Sequence, residues 1–559
     1  MSLVFLYDGR FFEPSLIDAF SDFFFTTRPV GECSVLLRWG NISGSDDNAK
    51  LVLNRKNPLI SCFDKEKMFH ILKMNRIRKP RLVVPKPDSQ YPLIAKFPDS
   101  GFGLQKEVLV RDLQEAQNSH AGFFVECINT VKKYNIYLFD MKVFLLTKKL
   151  AVKTNSKPGR NAPLWKYEEI PGDVDQDTQK VTLLAQRAGY ILGLDFCMVH
   201  AGIDVQGHPV ILDISPAPVI PSQAIPRFGT EVKKYISQCT AGPQRRQQHP
   251  ASPAFEASTA PKMEPGYTQT AFFTPSGKQA ETNNLTDDPA TQESLVMMGA
   301  DPEFMLRNCA TGKLIYPSNF LVKEGSLGYD DRSERREGIF FPLAEVRPAP
   351  DLCPLKLTEK IRAILVKAAS VLPPDIEWLA GSLHFEQYQI GGHIHFSNCE
   401  INSALLRALD NYLAIPIMLV EDPGNSVQRR KQYGWLGSIR TKPHGGFEYR
   451  TPGSWLVSPE STRSCLCLAK IVATNYRYLP KDYLVDPELQ KAFYQSKKYY
   501  FYDLFNELWQ DIRQTPLYHK YGVSLSPLVE LIQNRSHWNE DVDLRKSWGL
   551  LSHESGLVT

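Results

Sequence analysis

Residues 391–400 read GGHIHFSNCE, and whether this stretch is strand or helix decides the fold of the second half of the chain. Period-2 alternation puts His393 and His395 on one face and Ile394 and Phe396 on the other, so the stretch reads as a strand with one apolar side. Gly391 and Gly392 lead into it and allow close approach of a ligand or a neighbouring backbone. Two imidazoles one residue apart invite a zinc reading. No Cys-x-x-Cys accompanies them, and carboxylates rather than thiolates recur in the flanking motifs, which suits a hard cation better. Those motifs are GADPEF with Glu303, AEVRP with Glu345 and Arg347, and FEYRTPGSW with Glu448 and Arg450. Each Glu–x–Arg unit taken alone reads as a surface ion pair on a solvated strand. Together the four motifs read as acids and histidines converging on one sheet face, with two guanidinium forks suited to phosphate oxygens.

Working outward, 357–372, 402–420 and 459–479 have helical patterning, whereas VMMGADPEFML, PLAEVRPAP, SLHFEQYQ and GFEYRTPGS read as strands. His384 and Glu386 alternate on SLHFEQ and face either the same cavity or the core. The last 80 residues or so, rich in Tyr and Trp, read as helical packing with no assigned chemistry. Upstream, 241–290 contains seven prolines, a single leucine (Leu285) and neither isoleucine nor valine. Such a segment cannot bury enough apolar surface to offset its ordering entropy, so 239–294 reads as a flexible linker. The expected domains are 1–238 and 295–559.

In the first half, VFLYDG, SVLLRWG and LVLN read as short buried strands. Asp64 reads as the N-cap of a helix over 64–74. PLIAKFP is a strand that carries Lys96 into the loop DSGFG (Ser100, Gly101, Gly103), where an ammonium and loop N–H groups can meet a phosphate. FVECI places Glu126 at a strand end. NIYLFDMKVFLL and KLAVKTN read as paired strands, 181–192 as a helix, and FCMVHAGIDVQGHPVILDIS as a hairpin turning at 204–208. The hairpin puts Asp213 and Ser215 on one face and His200 on the partner strand, where they could hold Mg²⁺ against nucleotide phosphates. Helices mixed with antiparallel strands, without regular βαβ alternation, give an α+β class with a mixed α/β first half.

Composition narrows the function classes. The chain has 559 residues, too many for one core, with 43% hydrophobic and 23% charged residues. A net charge of +4 without a Lys/Arg block gives no reason to expect nucleic acid. MSLVFLYDGRFFEP does not read as a signal peptide, no uninterrupted 18-residue apolar run is present, and the ten cysteines are scattered. The expectation is a cytoplasmic protein with reduced thiols and no membrane partner; its oligomeric state, including a homo-oligomer, stays open. Cys465 and Cys467 read as buried thiols.

The order VLNRKNPLISCFDK, LIAKFPDSGFG, FFVECI and GLDFCMVHAGIDVQGHPVILDISPAP resembles the ATP-grasp superfamily of carboxylate–amine ligases, over most of 1–225, with 1–60 as its leading subdomain. The resemblance implies an ATP site with Lys96, Ser100, Gly101, Gly103 and Glu126, and a metal hairpin. That hairpin departs from the family: His200, Asp213 and Ser215 stand where Asp, Glu and Asn are usual, and imidazole is a poorer ligand for Mg²⁺ than for Mn²⁺. Over roughly 296–480 the chain resembles the glutamine-synthetase/γ-glutamylcysteine-synthetase-like fold, most closely its phage-type amidoligase branch. This implies an antiparallel sheet backed by helices, with Glu303, Glu345, His395 and Glu448 as metal residues and Arg347 and Arg450 on phosphate. His393 would orient a carboxylate or substrate. Arg429, Arg430 and Arg440, in the basic stretch 421–446, would face phosphate or the substrate carboxylate.

Both resemblances imply one chemistry. A carboxylate is a poor electrophile; phosphorylation by ATP gives an acyl phosphate, which an amine attacks to form an amide. No Ser/His/Asp or Cys/His nucleophile stands out. The implied protein is a bifunctional ATP- and Mg²⁺-dependent (or Mn²⁺-dependent) ligase. It would take small carboxylate and amine substrates, amino acids or a peptide, to build a peptide-like metabolite or modify a peptide. Two alternatives remain: a first half that only binds nucleotide or substrate, and a phosphotransferase.

Overall fold

The computed structural model describes residues 2–8, 16–40, 42–97, 106–151, 165–170, 175–240, 295–335, 339–385, 387–442 and 445–551. Most of the 239–294 segment therefore lies outside the described residues, as do Ser100, Gly101, Gly103 and Glu386.

The first half is built on three sheets. β1 (Leu3–Tyr7), β2 (Phe24–Thr26), β3 (Cys33–Trp39) and β4 (Ala49–Leu53) pair in the order β2-β1-β3-β4, all parallel. The antiparallel expectation fails here: β1, β3 and β4 are nearly continuous apolar runs, as strands buried on both faces are. β5 (Leu82–Val83), β6 (Leu93–Phe97), β7 (Lys106–Val110) and β8 (Phe123–Glu126) form a second sheet, β5-β8-β6-β7, antiparallel throughout. The third, β11-β10-β9-β12-β13, joins β9 (Thr130–Phe139), β10 (Lys142–Ala151), β11 (Trp165–Glu169), β12 (Phe196–Asp204) and β13 (Pro209–Ser215).

The hairpin turn of β12 and β13 falls at the expected place. Asp204 closes it by accepting hydrogen bonds from the Gln206 and His208 amides. The preceding hairpin differs from expectation. NIYLFDMKVFLL is two strands, turning at Asp140–Met141 with φ of +46° and +67°. Positive φ at both central residues is the mirror-image turn that suits strand twist, usually marked by Asn-Gly or Asp-Gly; without a glycine the sequence gave no signal. The helix after Asp64 runs Lys65–Met74 as expected, with the Asp64 carboxylate accepting from the Lys67 amide.

The second half centres on one antiparallel sheet, β16-β19-β14-β23-β25-β24, with β15 and β20 also pairing with β14. Its strands are β14 (Met297–Asn308), β15 (Leu314–Ile315), β16 (Leu327–Tyr329), β19 (Ala344–Val346), β20 (Ile376–Leu379), β23 (Gly392–Ser397), β24 (Ile439–Thr441) and β25 (Phe447–Tyr449). Two small hairpins pair β17 (Glu334–Arg335) with β18 (Ile339–Phe340) and β21 (Leu383–Phe385) with β22 (Tyr388–Gln389). SLHFEQYQ is thus a hairpin rather than one strand. Pro302 sits inside the long central strand, where a missing N–H is normally excluded. It stands at a changeover: β14 pairs with β23 up to Pro302 and with β19 and β20 beyond it.

Helices Pro354–Val371 and Pro459–Asn475 back the sheet. The helical run 403–420 is interrupted by a π-helical turn, Asp410–Ala414. Pro416 explains the interruption, because it cannot donate to the Tyr412 carbonyl and its ring crowds that group. The run is long and apolar enough to cross a membrane, but 89% of it is buried inside the molecule, as a core helix is.

One apolar cluster contains residues of both halves, and polar contacts reinforce it. The Tyr190 hydroxyl donates to Asp410 at 2.9 Å, and Arg187 donates to the Leu436 carbonyl at 3.1 Å and stacks over Trp435. The Ser403 amide donates to Asp140 at 3.0 Å, and Asn75 bonds both Gln490 and Tyr494.

Candidate active site

Strand register brings the acids together. Asp301 lies opposite His393, Glu303 opposite Glu345, His395 opposite Glu448, and Glu448 opposite Arg440. Because alternate residues share a face, Asp301, Glu303, Glu345, His393, His395, Glu448 and Arg440 occupy one face across five adjacent strands. Arg347 and Arg450 extend it, each two residues beyond a glutamate.

The middle of this face is the tightest part. Asp301 is held by both imidazoles, 3.1 Å from His393 Nδ1 and 3.0 Å from His395 Nε2. Glu448 is fully buried and meets the same rings at 3.5 and 3.9 Å. Ligand atoms of Asp301, His395 and Glu448 all lie within 4.8 Å of one another. Among the described residues this is the only such group of His, Cys, Asp or Glu. Two carboxylates and an imidazole in a buried cluster fit Mg²⁺ or Mn²⁺. Buried Glu303 Oε1, Glu448 Oε1 and His395 Nε2 all lack a well-aligned hydrogen bond, although each has an opposite charge nearby.

Asp301 belongs to this cluster, although the sequence motifs did not single it out. Its signal was present in GADPEF, since Asp301 and Glu303 share a face by simple alternation. Conversely, Glu303 and Glu345 lie beside the cluster: Glu303 accepts from the Gly391 amide at 2.7 Å and pairs with Arg332 at 2.5 Å, while Glu345 pairs with Arg347. Burial and the nearby Asp301 push the Glu345 carboxyl up to about 9, against the pull of Arg347. Asp301, although buried, is held well below the usual carboxylate range by His393 and His395. Glu448 is likewise lowered despite its burial, with His393 the first of the groups that pull it down.

Cations rim the acids. Glu448 pairs with Arg440 at 2.5 Å, Lys442 at 2.8 Å and Arg450 at 3.1 Å. Arg332, which the sequence did not single out, bridges Glu303 and Asp330. Tyr433 sits between these groups. Its hydroxyl is 2.9 Å from His393 Nε2, and the guanidiniums of Arg332, Arg429 and Arg450 lie 5.5, 5.4 and 4.8 Å from its ring. Cations against the face of an electron-rich ring are favourably placed.

Arg429 and Arg430 are enclosed rather than presented to a ligand. Arg429 donates to the Ile390, Thr451 and Pro452 carbonyls, and its pKa is pushed down to about 10 by burial. Arg430 pairs with buried Glu421 and donates to Ser496. Arg429 joins the segments that follow two strands, and Arg430 joins two helix ends. His384 bonds the Ala380 carbonyl at 2.8 Å, a contact of the fold.

In the first half, the register sets His200 opposite Asp213, with Ser215 two residues further on. Asp213 is bound by two ammoniums, Lys65 at 2.8 Å and Lys96 at 3.1 Å, and Lys96 also pairs with Glu107 at 2.7 Å. The lysines hold Asp213 well below the usual carboxylate range despite its burial. His200 is pushed down to about 4 by burial, so its imidazole is neutral at pH 7. Glu126 pairs with Arg81 at 3.2 Å at the surface.

No match is found among curated proteins by sequence. By structure the chain is similar to D-alanine–D-alanine ligase from Bacillus anthracis, at 13% identity and a TM-score of 0.30, over 42% of this chain and 93% of that one. It is also similar to the ATP-grasp ligase PsnB in complex with a minimal precursor (10%, TM-score 0.31, 42% and 99%). A third is the macrocyclase MdnC from Microcystis aeruginosa MRC bound to its precursor peptide MdnA (12%, TM-score 0.28, 41% and 100%). In the half that carries the acid and histidine face, residues 298–550 match the model of the phage phiEco32-like COOH.NH2 ligase family, type 2.

Proposed function

We propose that the chain joins a carboxylate to an amine at the expense of ATP, and that the second half carries out the chemistry. The observation that carries this reading is the convergence of Asp301, His395 and Glu448 within 4.8 Å, in a region that matches a carboxylate–amine ligase family. Asp301, His395 and Glu448 would hold Mg²⁺ or Mn²⁺, which when bound would offset the charge of the nucleotide phosphates. Arg347, Arg450, Arg440 and Arg332 offer forked donors to the phosphoryl group as it passes to the substrate carboxylate. The acyl phosphate so formed is attacked by the amine nitrogen, releasing phosphate. His393, fixed between Asp301 and Tyr433, orients the groups around that centre. Burial of the acids keeps bulk water away from an intermediate that it would hydrolyse.

The test is mass spectrometry of the products formed by the purified chain with ATP, Mg²⁺ and pooled amino acids, with ADP release followed in parallel. An amide with equivalent ADP and phosphate is the expected result. A stable phosphorylated acceptor makes the protein a phosphotransferase instead.

For the first half, the pairing of Asp213 with Lys65 and Lys96 favours a nucleotide- or substrate-binding module over a second ligase centre. On that reading Glu303→Ala abolishes all turnover, whereas Asp213→Ala leaves the number of amide bonds per product unchanged. Loss of one of two bonds in Asp213→Ala restores the bifunctional reading.

A further inference from the structure

The first-half hairpin does not fit the divalent cation that its family resemblance implies. Asp213 is the one carboxylate among His200, Asp213 and Ser215, without the second acid that Asp301 and Glu448 give each other in the second half, and its oxygens face the ammoniums of Lys65 and Lys96. Imidazole at His200, without the two carboxylates that accompany His395, adds a ligand poorly matched to a hard cation. Among the described residues, no group of His, Cys, Asp or Glu in this half brings ligand atoms together as the second half does.

A different chemistry is built there. Register places Asp213, His200, Asn135 and Thr147 in one row across β13, β12, β9 and β10. Asn135 and Thr147 are only 5% and 6% exposed, yet Asn135 Oδ1, Thr147 Oγ1 and His200 Nε2 have no hydrogen-bond partner. Buried polar atoms left unpaired cost about 1–3 kcal/mol each, so such a row implies a ligand that pairs them. Each can donate: the hydroxyl by rotation, the amide by turning over, and the imidazole in its Nε2–H tautomer. Lys133 lies two residues before Asn135 and Lys149 two after Thr147, so alternation sets both on this face. Glu169, opposite Thr147 in the same row, pairs with Arg227, and Lys65, Lys96 and Lys133 outnumber the carboxylates of Asp213 and Glu107. An excess of ammoniums beside unpaired donors selects a multiply charged anion.

We propose that this face of the sheet binds the polyphosphate of a nucleoside di- or triphosphate with Lys65 and Lys96 standing in for a divalent cation. Binding is then independent of Mg²⁺, and no phosphoryl transfer takes place there. The proposal rests on the first half being a binding module.

Calorimetric titration of the full chain with ATP, ADP and inorganic pyrophosphate, in excess EDTA and then in Mg²⁺, tests it. The expected result is one binding event that persists in EDTA and changes less than about threefold in affinity with Mg²⁺, apart from any Mg²⁺-dependent event at the second-half cluster, which Asp301→Asn removes. It weakens at least about tenfold in Lys96→Met and in Lys65→Met, and survives in Lys65→Arg. Thermal unfolding of each variant accompanies the titration; if Lys96→Met does not fold, the contrast between Lys65→Met and Lys65→Arg decides. The absence of any binding in EDTA, an EDTA-resistant event unchanged by both Lys→Met substitutions, or a Mn²⁺ site removed by Asp213→Asn overturns the proposal. Glutamate or another carboxylate bound in preference to all three phosphates also overturns it. Amide formation is read separately with Mg²⁺, so ligase activity can stand while metal-free binding fails, and the reverse.

Discussion

Asp301 and Glu448 share a cluster but differ in what surrounds them, and their variants should differ accordingly. Asp301 faces two imidazoles, so Asp301→Asn removes a cation ligand without stranding a permanent charge. Amide formation is expected to fall at least about 10²-fold, by ADP-coupled assay, with little change in unfolding midpoint. Glu448 is fully buried against Arg440, Lys442 and Arg450. Glu448→Gln leaves three cations uncompensated around a buried site, a change that costs about 3–5 kcal/mol for a broken buried pair. Denaturant unfolding is expected to show that loss together with loss of activity. A Glu448→Gln chain as stable as the parent would mean that the three cations find other partners.

Among the elements, β23 answers why two glycines precede the histidines. A Cβ on Gly392 would lie 2.2 Å from the Gly453 carbonyl oxygen, a backbone atom of the adjoining segment. One on Gly391 would lie 2.2 Å from His393 Nε2, the end of a side chain that can turn away. Gly392→Ala is therefore expected to destabilise by about 1–3 kcal/mol or more, as overpacking does. Gly391→Ala should instead displace the His393 ring from Tyr433 and lower turnover, with a smaller loss of stability. Equal unfolding midpoints for the two variants would contradict this account. The same scale shows what sequence patterning can reach. The β23 strand, the β12–β13 hairpin and the Asp64 cap were legible because alternation and capping are local. The Asp140–Met141 turn was not, because its conformation is imposed by the strands that it joins, and the continuous apolar patterning of 402–420 masked the local mark that Pro416 left on the π-helical turn.

Across the whole molecule, Asp410 lies where the halves meet. Its carboxylate receives the Tyr190 hydroxyl from the first half and the Tyr449 hydroxyl and Gly437 amide from the second. Burial pushes its pKa up to about 7, against those three donors. An unfolded aspartate titrates near pH ~4, so from about pH 4 to about 7 the folded chain holds a proton that the unfolded chain has released. The stability this contributes is complete below about pH 4 and is lost as pH rises through about 7. Stability measured by denaturant unfolding is expected to fall between about pH 4 and about pH 7, and to fall less in Asp410→Asn. Arg187 is the companion test. Its buried guanidinium ties the Asn75 and Leu436 carbonyls together. Arg187→Ala should cost about 2–4 kcal/mol by leaving those acceptors unpaired. It should also loosen the 431–438 segment that carries Tyr433 toward the site, read as a lower turnover at unchanged metal affinity.

By itself the sequence determined which residues alternate on a strand, where charge and glycine punctuate it, and that acids, arginines and two histidines gather in short motifs of the second half. These are properties of neighbours in the chain, and period-2 geometry carries them directly into structure. Only the tertiary structure decided which motifs meet. The β14–β23–β25 register put Asp301 in the acid–histidine cluster and set Glu303 and Glu345 beside it. Burial turned Arg429, a candidate phosphate residue, into a brace for backbone carbonyls, and Arg430 into the partner of Glu421 and Ser496. Two lysines from separate elements converged on Asp213. A side chain's charge is fixed by its identity, but its partner is fixed by residues far along the chain, and for a buried ion the partner sets the chemistry.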